Sequence, residues 1–279
     1  MEEPIRVTGR DVMESVLGDS GLHVARTNLN DVRCKAPKFF EQLRRGEANI
    51  VVIDADEVSS LDVMALRWMF PSGVTPLVLC PSNPQECAEL AEVAISAARL
   101  IPGPVFLLLE NSVANAEDIV IPNDEPLLEL VQPTPEDTLD LNEEERELRL
   151  LDARLRSGVK GFSAAVMDPC PTELGKPEWL LVSFGSATAP AATAASAAIE
   201  QGQRVNHLRV RQLWPLPEPE LMRAVMGIKH IVVAERNLGQ YASEVRRFAP
   251  EITVVPAGGI GAVTSEQILD RLQRTPRCC

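Results

Sequence analysis

The sequence predicts an α/β fold made of two doubly wound domains with mainly parallel sheets. Short apolar runs alternate with helix-like segments over residues 1–122, and the same alternation returns from Glu178 onward. Apolar residues make up 45% of the chain and aromatic residues only 4%, so Ala, Val, Leu and Ile carry the apolar content. This composition is typical of helices covering a buried parallel sheet. Repeated β-α-β units also imply right-handed crossovers.

We assign the first domain to residues 1–122. Its clearest strand is the continuous apolar run Asn49–Asp54, which ends in an acid. Pro37 is acceptable in the first turn of a helix, and Ser82 or Asn83 can cap the helix that follows. The predicted strands are 21–25, 49–54, 75–80 and 104–109, and the predicted helices are 11–17, 37–45, 61–70 and 84–99.

An acidic linker and a charged helix are predicted over residues 123–177. The surrounding segment 111–147 holds many acidic residues, and Arg146 is its one basic residue. The helix is predicted from Asn142, a plausible cap, to Arg156, with acidic residues favourable in its first turn. Such an acidic run is usually a solvated face.

The second domain is assigned to residues 178–279. Its alternation is clearer, and Thr264 with Gln267 fits a capping box at the last helix. The predicted strands are 179–184, 204–210, 230–235 and 252–255, and the helices are 188–201, 217–226, 239–248 and 264–274.

Charge and hydropathy exclude several classes of partner. Lys plus Arg is 27 and Asp plus Glu is 40, so the net charge is 27 − 40 = −13. This charge repels nucleic acid. It serves solubility, or it forms an acidic face for a basic partner. No apolar stretch approaches the roughly 18 residues that span a bilayer. The first thirty residues lack the core of a signal peptide. We therefore expect a cytoplasmic protein without nucleic-acid or membrane partners.

The six cysteines carry no metal signature. No C-x-x-C occurs, and no Cys/His cluster has zinc spacing. We therefore expect neither a metal site nor an iron–sulfur cluster in this chain.

Ligands of open parallel sheets bind beyond the carboxyl ends of the strands, which directs attention to the turns found there. In the turn 183–186, Gly185 permits a tight bend and Ser186 can cap the next helix, whose free amides attract an anion. Gly185 and Ser186 are thus candidate cofactor-binding residues. The alternative is an ordinary strand-to-helix turn.

Two further segments are candidates for an interface or active-site loop. In the segment 235–240, Glu235, Asn237, Gly239 and Gln240 place polar groups and a glycine at a strand end, so a ligand or interface role competes with a capped turn. In 212–217, Trp214 lies between a strand and two prolines, as an interface anchor or as a core plug.

The acidic turn 54–57 and the histidines carry weaker signals. Asp54, Asp56 and Glu57 could hold Mg²⁺ through oxygen ligands, although a solvated turn capping the next helix is favoured. His207 and His230 fall inside strands and are interpreted as structural. No G-x-S-x-G or H-E-x-x-H occurs, so hydrolase chemistry has no support.

Several motifs resemble one family of enzymes. They are 182–186 (Val-Ser-Phe-Gly-Ser), 213–217 (Leu-Trp-Pro-Leu-Pro), 232–240 and the tail 258–269, together with 76–86 and 104–109. The first four resemble the second domain of the alpha subunit of 2-oxoacid:ferredoxin oxidoreductases, especially the 2-oxoglutarate type. That domain is similar to the transketolase C-terminal fold. The last two resemble the end of the family's pyrimidine-binding domain.

This resemblance implies a subunit that is not active alone. The family decarboxylates a 2-oxoacid on thiamine diphosphate, passes electrons through iron–sulfur clusters to ferredoxin, and yields an acyl-CoA. By resemblance, a beta-type subunit would hold the diphosphate and Mg²⁺, with the cofactor at its interface with this chain. Iron–sulfur clusters would lie in partner subunits, including gamma-type and ferredoxin-like ones.

The first domain departs from the family pattern. The family's Tyr-Pro-Ile-Thr-Pro motif is absent, since Tyr241 is the single tyrosine, and 55–60 replaces its Gly-Pro-Ser-Thr loop. Glu57 is the candidate for the thiamine glutamate. The domain therefore resembles a shortened version. A catalytic alpha-type subunit, a catalytically silent structural or regulatory subunit, and a small-molecule-binding protein using Gly185 and Ser186 remain the alternatives.

Overall fold

The computed structural model of the protein describes residues 5–47, 49–70, 73–101, 103–121, 128–130, 142–157 and 159–274. Much of the predicted acidic linker, at 122–127 and 131–141, lies outside the described residues. The strands are β1 (Ile5–Thr8), β2 (His23–Asn28), β3 (Asn49–Ala55), β4 (Leu77–Leu79), β5 (Pro104–Glu110), β6 (Glu117–Val120), β7 (Glu129–Leu130), β8 (Val159–Lys160), β9 (Ala165–Asp168), β10 (Trp179–Phe184), β11 (Val205–Val210), β12 (Gln212–Trp214), β13 (His230–Ala234) and β14 (Thr253–Ala257). The α-helices are α1 (Gly9–Gly18), α2 (Leu29–Arg44), α3 (Ser60–Arg67), α4 (Pro84–Leu100), α5 (Asn111–Ala114), α6 (Glu143–Ser157), α7 (Thr188–Glu200), α8 (Glu218–Ala224), α9 (Gln240–Arg246) and α10 (Ser265–Gln273).

The chain divides into two compact units. Unit 1 contains Met1–Asp56, Ala65–Phe162 and Gln212–Pro215, and unit 2 contains Glu57–Met64, Ser163–Arg211 and Leu216–Cys279. Each unit therefore includes a short segment that is distant in sequence from the rest of it. The domain boundaries at 122 and 177 stay predictions.

Unit 1 is built on a five-stranded sheet in the order β12-β4-β5-β3-β2. Strands β2, β3, β5 and β4 run parallel, and β12 joins β4 antiparallel at the edge. The apolar runs of β3 and β5 lie at the centre, and every residue of β5 is buried. This placement follows from sequence, because a central parallel strand is covered on both faces.

The start of α2 was predicted wrongly. The helix begins at Leu29 rather than at Pro37, because the Asn28 side chain accepts a hydrogen bond from the Asp31 amide (2.8 Å) and caps it there. Pro37 therefore lies inside the helix and not in its first turn. The edge strand β12 and the antiparallel pair β1–β6 were not predicted, since short strands carry little periodicity.

Unit 2 is a second α/β unit, with strand order β14-β13-β10-β11-β9. The first four of these strands are parallel and β9 is antiparallel at the edge. Alanines of α7 and the apolar residues Ile268 and Leu272 of α10 form a core with β10 and β13. The predicted capping box at Thr264 and Gln267 is confirmed. The fold class is also confirmed, because both units are α/β with mainly parallel sheets.

None of the helices in the described residues has both the length and the apolar character that a bilayer crossing requires.

Candidate functional site

The strand order of unit 2 reverses between β10 and β13. From β10 the chain passes to β11 on one side, and from β13 it passes to β14 on the other side. The carboxyl ends of adjacent strands at such a reversal are the usual ligand position of an open α/β sheet. The turn after β10 carries Gly185 and Ser186, and the turn after β13 carries Glu235 to Gln240. The structure therefore brings two of the predicted segments to one edge of the sheet.

Glu235 lies at the centre of this edge and is fully buried. Its Oε2 accepts a hydrogen bond from the Tyr241 amide (2.9 Å), and its Oε1 accepts one from the Ala242 amide (3.0 Å). Burial raises the pKa of the Glu235 carboxyl, although the amides of Ala242 and Tyr241 and the Ser60 hydroxyl oppose that shift. The carboxylate thus occupies the anion position at the start of α9, where free amides favour negative charge.

Gln240 is held by a segment from the first part of the chain. The hydroxyl of Ser60 lies 2.7 Å from Gln240 Oε1, and the Ser60 amide donates to the Arg236 carbonyl (2.9 Å). Gln240 Oε1 also accepts from the Leu238 amide (3.2 Å). The segment Glu57–Met64 therefore closes the turn after β13 from one side.

The turn after β14 bonds to the turn after β13 as well. The Asn237 amide donates to the Gly259 carbonyl (2.8 Å), and Arg236 Nε donates to the Ile260 carbonyl (2.8 Å). Asn237 has a φ of 104° and Gly239 a φ of 92°, so the turn uses the left-handed region twice. These hydrogen bonds hold the turn 235–240, the predicted interface or active-site loop, in a defined conformation.

Glu57 does not project freely from its turn. Its carboxylate forms an ion pair with Arg236, and its side chain is half exposed. The other acids of this predicted cluster have separate partners, because Asp54 binds Arg10 and Arg26 and Asp56 accepts from Asn111 (2.6 Å). Burial alone would raise the pKa of Asp54, but Arg26 and Arg10 lower it overall.

A metal centre has no support in the described part of the chain, which holds no group of three or more His, Cys, Asp or Glu side chains arranged for an ion.

Gly185 and Ser186 lie in a 3-10 turn, Gly185–Ala187, that precedes α7. Gly185 has a φ of 52°, as the predicted tight bend requires. The prediction that Ser186 caps the helix is wrong, because α7 begins after Ala187 without a side-chain cap. Beside this turn, the buried rings of Phe184 and Tyr241 lie 4.9 Å apart and pack against each other.

Trp214 is placed in β12 of unit 1 and is buried. The Arg67 guanidinium lies 4.8 Å from the centroid of its ring. Trp214 was predicted either as an interface anchor or as a core plug, and its buried side chain agrees with the core plug.

A polar cluster inside unit 2 was not predicted from the sequence. Ser183 Oγ lies 2.7 Å from His207 Nε2, and His207 Nδ1 lies 3.5 Å from an oxygen of Asp168. The order of groups matches that of a serine hydrolase, but Ser183 is fully buried and no substrate can reach its hydroxyl. Burial lowers the pKa of His207 to about 4. The residues lie on neighbouring strands, so sequence spacing contained no signal for their proximity.

Comparison with known proteins finds one matching family model and two related subunits. Residues 177–267 match the family model "Pyruvate:ferredoxin oxidoreductase core domain II". The 2-oxoglutarate synthase subunit KorA of Methanothermobacter marburgensis is 24% identical over 77% of this chain and 68% of its own. The KorA of Methanothermobacter thermautotrophicus is 26% identical over 78% of this chain and 69% of its own.

Solved structures support the fold. The 2-oxoglutarate:ferredoxin oxidoreductase of Magnetococcus marinus superposes with a TM-score of 0.70 over 95% of this chain, at 15% identity. The protein spans only 56% of the chain on which it superposes. A split-gene transketolase, an inactive beta4 tetramer, gives a TM-score of 0.57 at 16% identity, over 96% of this chain and 81% of its own. By sequence the chain is similar to 2-oxoglutarate synthase subunits. By fold it resembles 2-oxoacid:ferredoxin oxidoreductases and transketolase. This likeness is consistent with the prediction that the second domain has a transketolase C-terminal-like fold.

Proposed function

We propose that the chain is an alpha-type subunit of a cytoplasmic 2-oxoacid:ferredoxin oxidoreductase, which is inactive without its partners. The observation that carries this proposal is the match of residues 177–267 to core domain II of pyruvate:ferredoxin oxidoreductase, within a longer alignment to two 2-oxoglutarate synthase subunits. The reaction would be the oxidative decarboxylation of a 2-oxoacid, 2-oxoglutarate in the first instance, to an acyl-CoA with reduction of ferredoxin.

The cofactors of this reaction would be held mainly by other chains. A beta-type subunit would bind thiamine diphosphate and Mg²⁺, and gamma-type and ferredoxin-like subunits would carry the iron–sulfur clusters. Thiamine diphosphate would supply the carbanion-stabilising chemistry when bound. This chain has no C-x-x-C motif, which agrees with clusters held elsewhere.

The candidate glutamate of this chain does not fit the thiamine aminopyrimidine. That contact requires a carboxyl group that can share a proton with a ring nitrogen in a site protected from water. Glu57 is instead half exposed and paired with the Arg236 guanidinium. We therefore derive no catalytic step through Glu57, and its role is to hold the turn after β13.

A second candidate function follows from that observation. A chain without a suitable glutamate would be a catalytically silent structural or regulatory subunit of the same complex. The ion pair of Glu57 and the missing Tyr-Pro-Ile-Thr-Pro motif favour it. In this case the ordered turn Glu235–Gln240 would support the complex without contacting substrate.

The decisive experiment isolates the complex from its own cells through a tag on this chain. We expect a beta-type subunit with bound thiamine diphosphate to co-purify, and 2-oxoglutarate-dependent ferredoxin reduction to disappear when the chain is deleted. Reduction that survives deletion would exclude the catalytic-subunit function. If no thiamine-containing chain co-purifies, both candidate functions fail.

A variant of Glu57 tests, within an intact complex, whether this residue acts as the thiamine glutamate or only as the ion-pair partner of Arg236. If Glu57 acts as a general acid or base, Glu57→Gln would lower kcat by roughly 10²–10⁴-fold. As an ion-pair partner of Arg236, the same change would leave kcat within a few-fold of the parent. Glu47→Gln, at an exposed position outside the site, is the matched control.

A further inference from the structure

Two short segments of the chain belong to a different compact unit from the residues on both sides of them. Residues Glu57–Met64 are part of unit 2, although the stretches before and after them are part of unit 1. Residues Gln212–Pro215 are part of unit 1, although both of their flanks are part of unit 2. We call these two stretches the crossing segments. Neither unit is complete without its crossing segment.

The first crossing segment shares a helix with unit 1. Helix α3 spans Ser60–Arg67, so its residues 60–64 lie in unit 2 and its residues 65–67 lie in unit 1. Ser60 and Val63 are buried in the first part, and Leu66 is buried in the second part. Residues 65–67 make less than one helical turn, and so short a helix does not persist by itself. The position of Leu66 therefore depends on the part of α3 that unit 2 holds.

The chain enters this segment without a spacer. The carboxylate of Asp56, in unit 1, accepts a hydrogen bond from Asn111 Nδ2 (2.6 Å). The next residue, Glu57, already forms its ion pair with Arg236 of unit 2, and the Ser60 amide donates to the Arg236 carbonyl (2.9 Å). Consecutive residues are thus held by different units, so a change in one unit reaches the other through a single peptide bond.

The second crossing segment contains the edge strand β12. This strand pairs antiparallel with β4, and its residues Leu213 and Trp214 are fully buried. Directly before the strand, the Arg211 amide donates to the Ala164 carbonyl of unit 2 (2.9 Å). Because a strand of three residues has no stability of its own, the placement of β12 depends on the chain on both of its sides. That chain is part of unit 2.

We propose that the crossing segments make the two units unfold in one cooperative transition, so that neither unit opens while the other remains folded. Unfolding of unit 2 removes the beginning of α3 and with it the support of Leu66 in unit 1. Unfolding of unit 1 releases both ends of Glu57–Met64 and with them the bonds of Ser60 to the turn 235–240. Chains with several domains commonly unfold in separate steps instead. The coupling is a property of the fold and holds for either candidate function.

The test follows the reactivity of buried thiols in the intact chain during urea unfolding. Cys80 and Cys87 report on unit 1 and Cys170 reports on unit 2, since all three are buried and free. A short pulse of a thiol reagent at each urea concentration, followed by mass spectrometry of the labelled peptides, gives a midpoint for each thiol. We expect the three midpoints to coincide. Cys34 is exposed and should react at every urea concentration, which verifies the pulse.

One backbone substitution in each unit makes the test reciprocal. A Cβ at Gly103 in unit 1 would lie 2.6 Å from the Leu43 Cα, and a Cβ at Gly258 in unit 2 would lie 2.4 Å from the Glu235 carbonyl oxygen. Both glycines also have a positive φ. Gly103→Ala and Gly258→Ala are each expected to lower all three midpoints equally, by on the order of 1 M urea. Gly261→Ala is the matched control and should shift none, because nothing lies within 4 Å of its Cβ.

Two results would overturn the coupling. Distinct midpoints for Cys80 and Cys170 in the parent protein would show that one unit opens while the other stays folded. A substitution that lowers only the midpoints of its own unit would show the same even where the parent midpoints coincide. A variant too unstable to fold still decides, since all three buried thiols then react without urea if the units are coupled, and only those of the substituted unit react if they are not.

Discussion

The hydroxyl of Ser60 lies 2.7 Å from the side-chain oxygen of Gln240, although 180 positions separate the two residues in sequence. Ser60 is fully buried, and its amide also donates to the carbonyl of Arg236 (2.9 Å). Segment Glu57–Met64 is thereby an integral part of unit 2. The ordered turn after β13 depends on residues that precede it by more than half of the chain.

Replacing Ser60 by alanine should destabilise the protein. The substitution removes the buried Ser60 hydroxyl from Gln240 Oε1 and leaves this partly buried acceptor with one partner fewer. We expect a loss of about 1–2 kcal/mol in the free energy of unfolding, measured by urea denaturation. Ser112→Ala, at an exposed position in α5, should change it by less than about 0.5 kcal/mol. Equal effects of the two substitutions would contradict the role of Ser60.

Glu235 should contribute more than any exposed acid. Glu235→Ala leaves the amides of Tyr241 and Ala242 without their buried acceptor, so we expect a loss of about 2–4 kcal/mol. Glu235→Gln keeps one oxygen acceptor and should lose less. The control is Glu251→Ala, an exposed position before β14, and chemical denaturation gives all three values. A Glu235→Ala variant as stable as the control would show that the carboxylate does not cap α9.

Gly258 should be intolerant of any side chain. A Cβ there would lie 2.4 Å from the Glu235 carbonyl oxygen, and the residue has a φ of 131°. Gly258→Ala should therefore cost about 2–4 kcal/mol, since it combines a backbone clash with an unfavourable conformation. In the same loop, nothing lies within 4 Å of a Cβ at Gly261. Gly261→Ala should be neutral to within about 0.5 kcal/mol, and a comparison of their thermal midpoints tests the difference.

His207 should make the protein sensitive to mild acid. Burial lowers its pKa from 6.5 to about 4, against the opposing effect of Asp168, so the unfolded chain binds its proton first as pH falls. The stability contributed by the neutral ring is complete above pH 6.5 and is lost as pH falls through about 4. At about 1.4 kcal/mol for each pH unit, this loss approaches about 3 kcal/mol.

The measurement is the free energy of unfolding of the parent and of His207→Gln between pH 7 and pH 4. The difference between the two proteins should shrink as pH falls, because the variant lacks the titrating ring. Arg209 and Asp168 are the charged groups that act on His207, and both remain in the variant. A difference that stays constant across this range would show that His207 does not titrate with a lowered pKa.

Local patterns were sufficient wherever a strand is apolar throughout or a helix carries its own cap. The runs of β3, β5 and β10 were recognised because each is mostly apolar, as a strand covered on both faces requires. The capping box of Thr264 was recognised because both partners lie within four residues. The short edge strands β9 and β12 were missed, since their antiparallel pairing depends on partners far away in sequence.

The candidate site likewise combines features that local patterns predict with contacts that they do not. The turns bearing Gly185 and Glu235 were located because each follows a recognisable strand. The order of the strands was not recognisable, so neither was the adjacency of β10 and β13, nor the Ser183–His207 contact. Likewise, the pairing of Glu57 with Arg236 joins residues that local rules do not connect.

By itself the sequence determined the class of fold, the position of its central strands and helices, and the turns that end them. These properties follow from the hydropathy and conformational preferences of residues close together in the chain. Only the tertiary structure decided that Glu235 caps α9 from a buried position and that Ser60 closes its turn. Those outcomes depend on strand order and on long-range main-chain bonds, whose free energy no short segment contains.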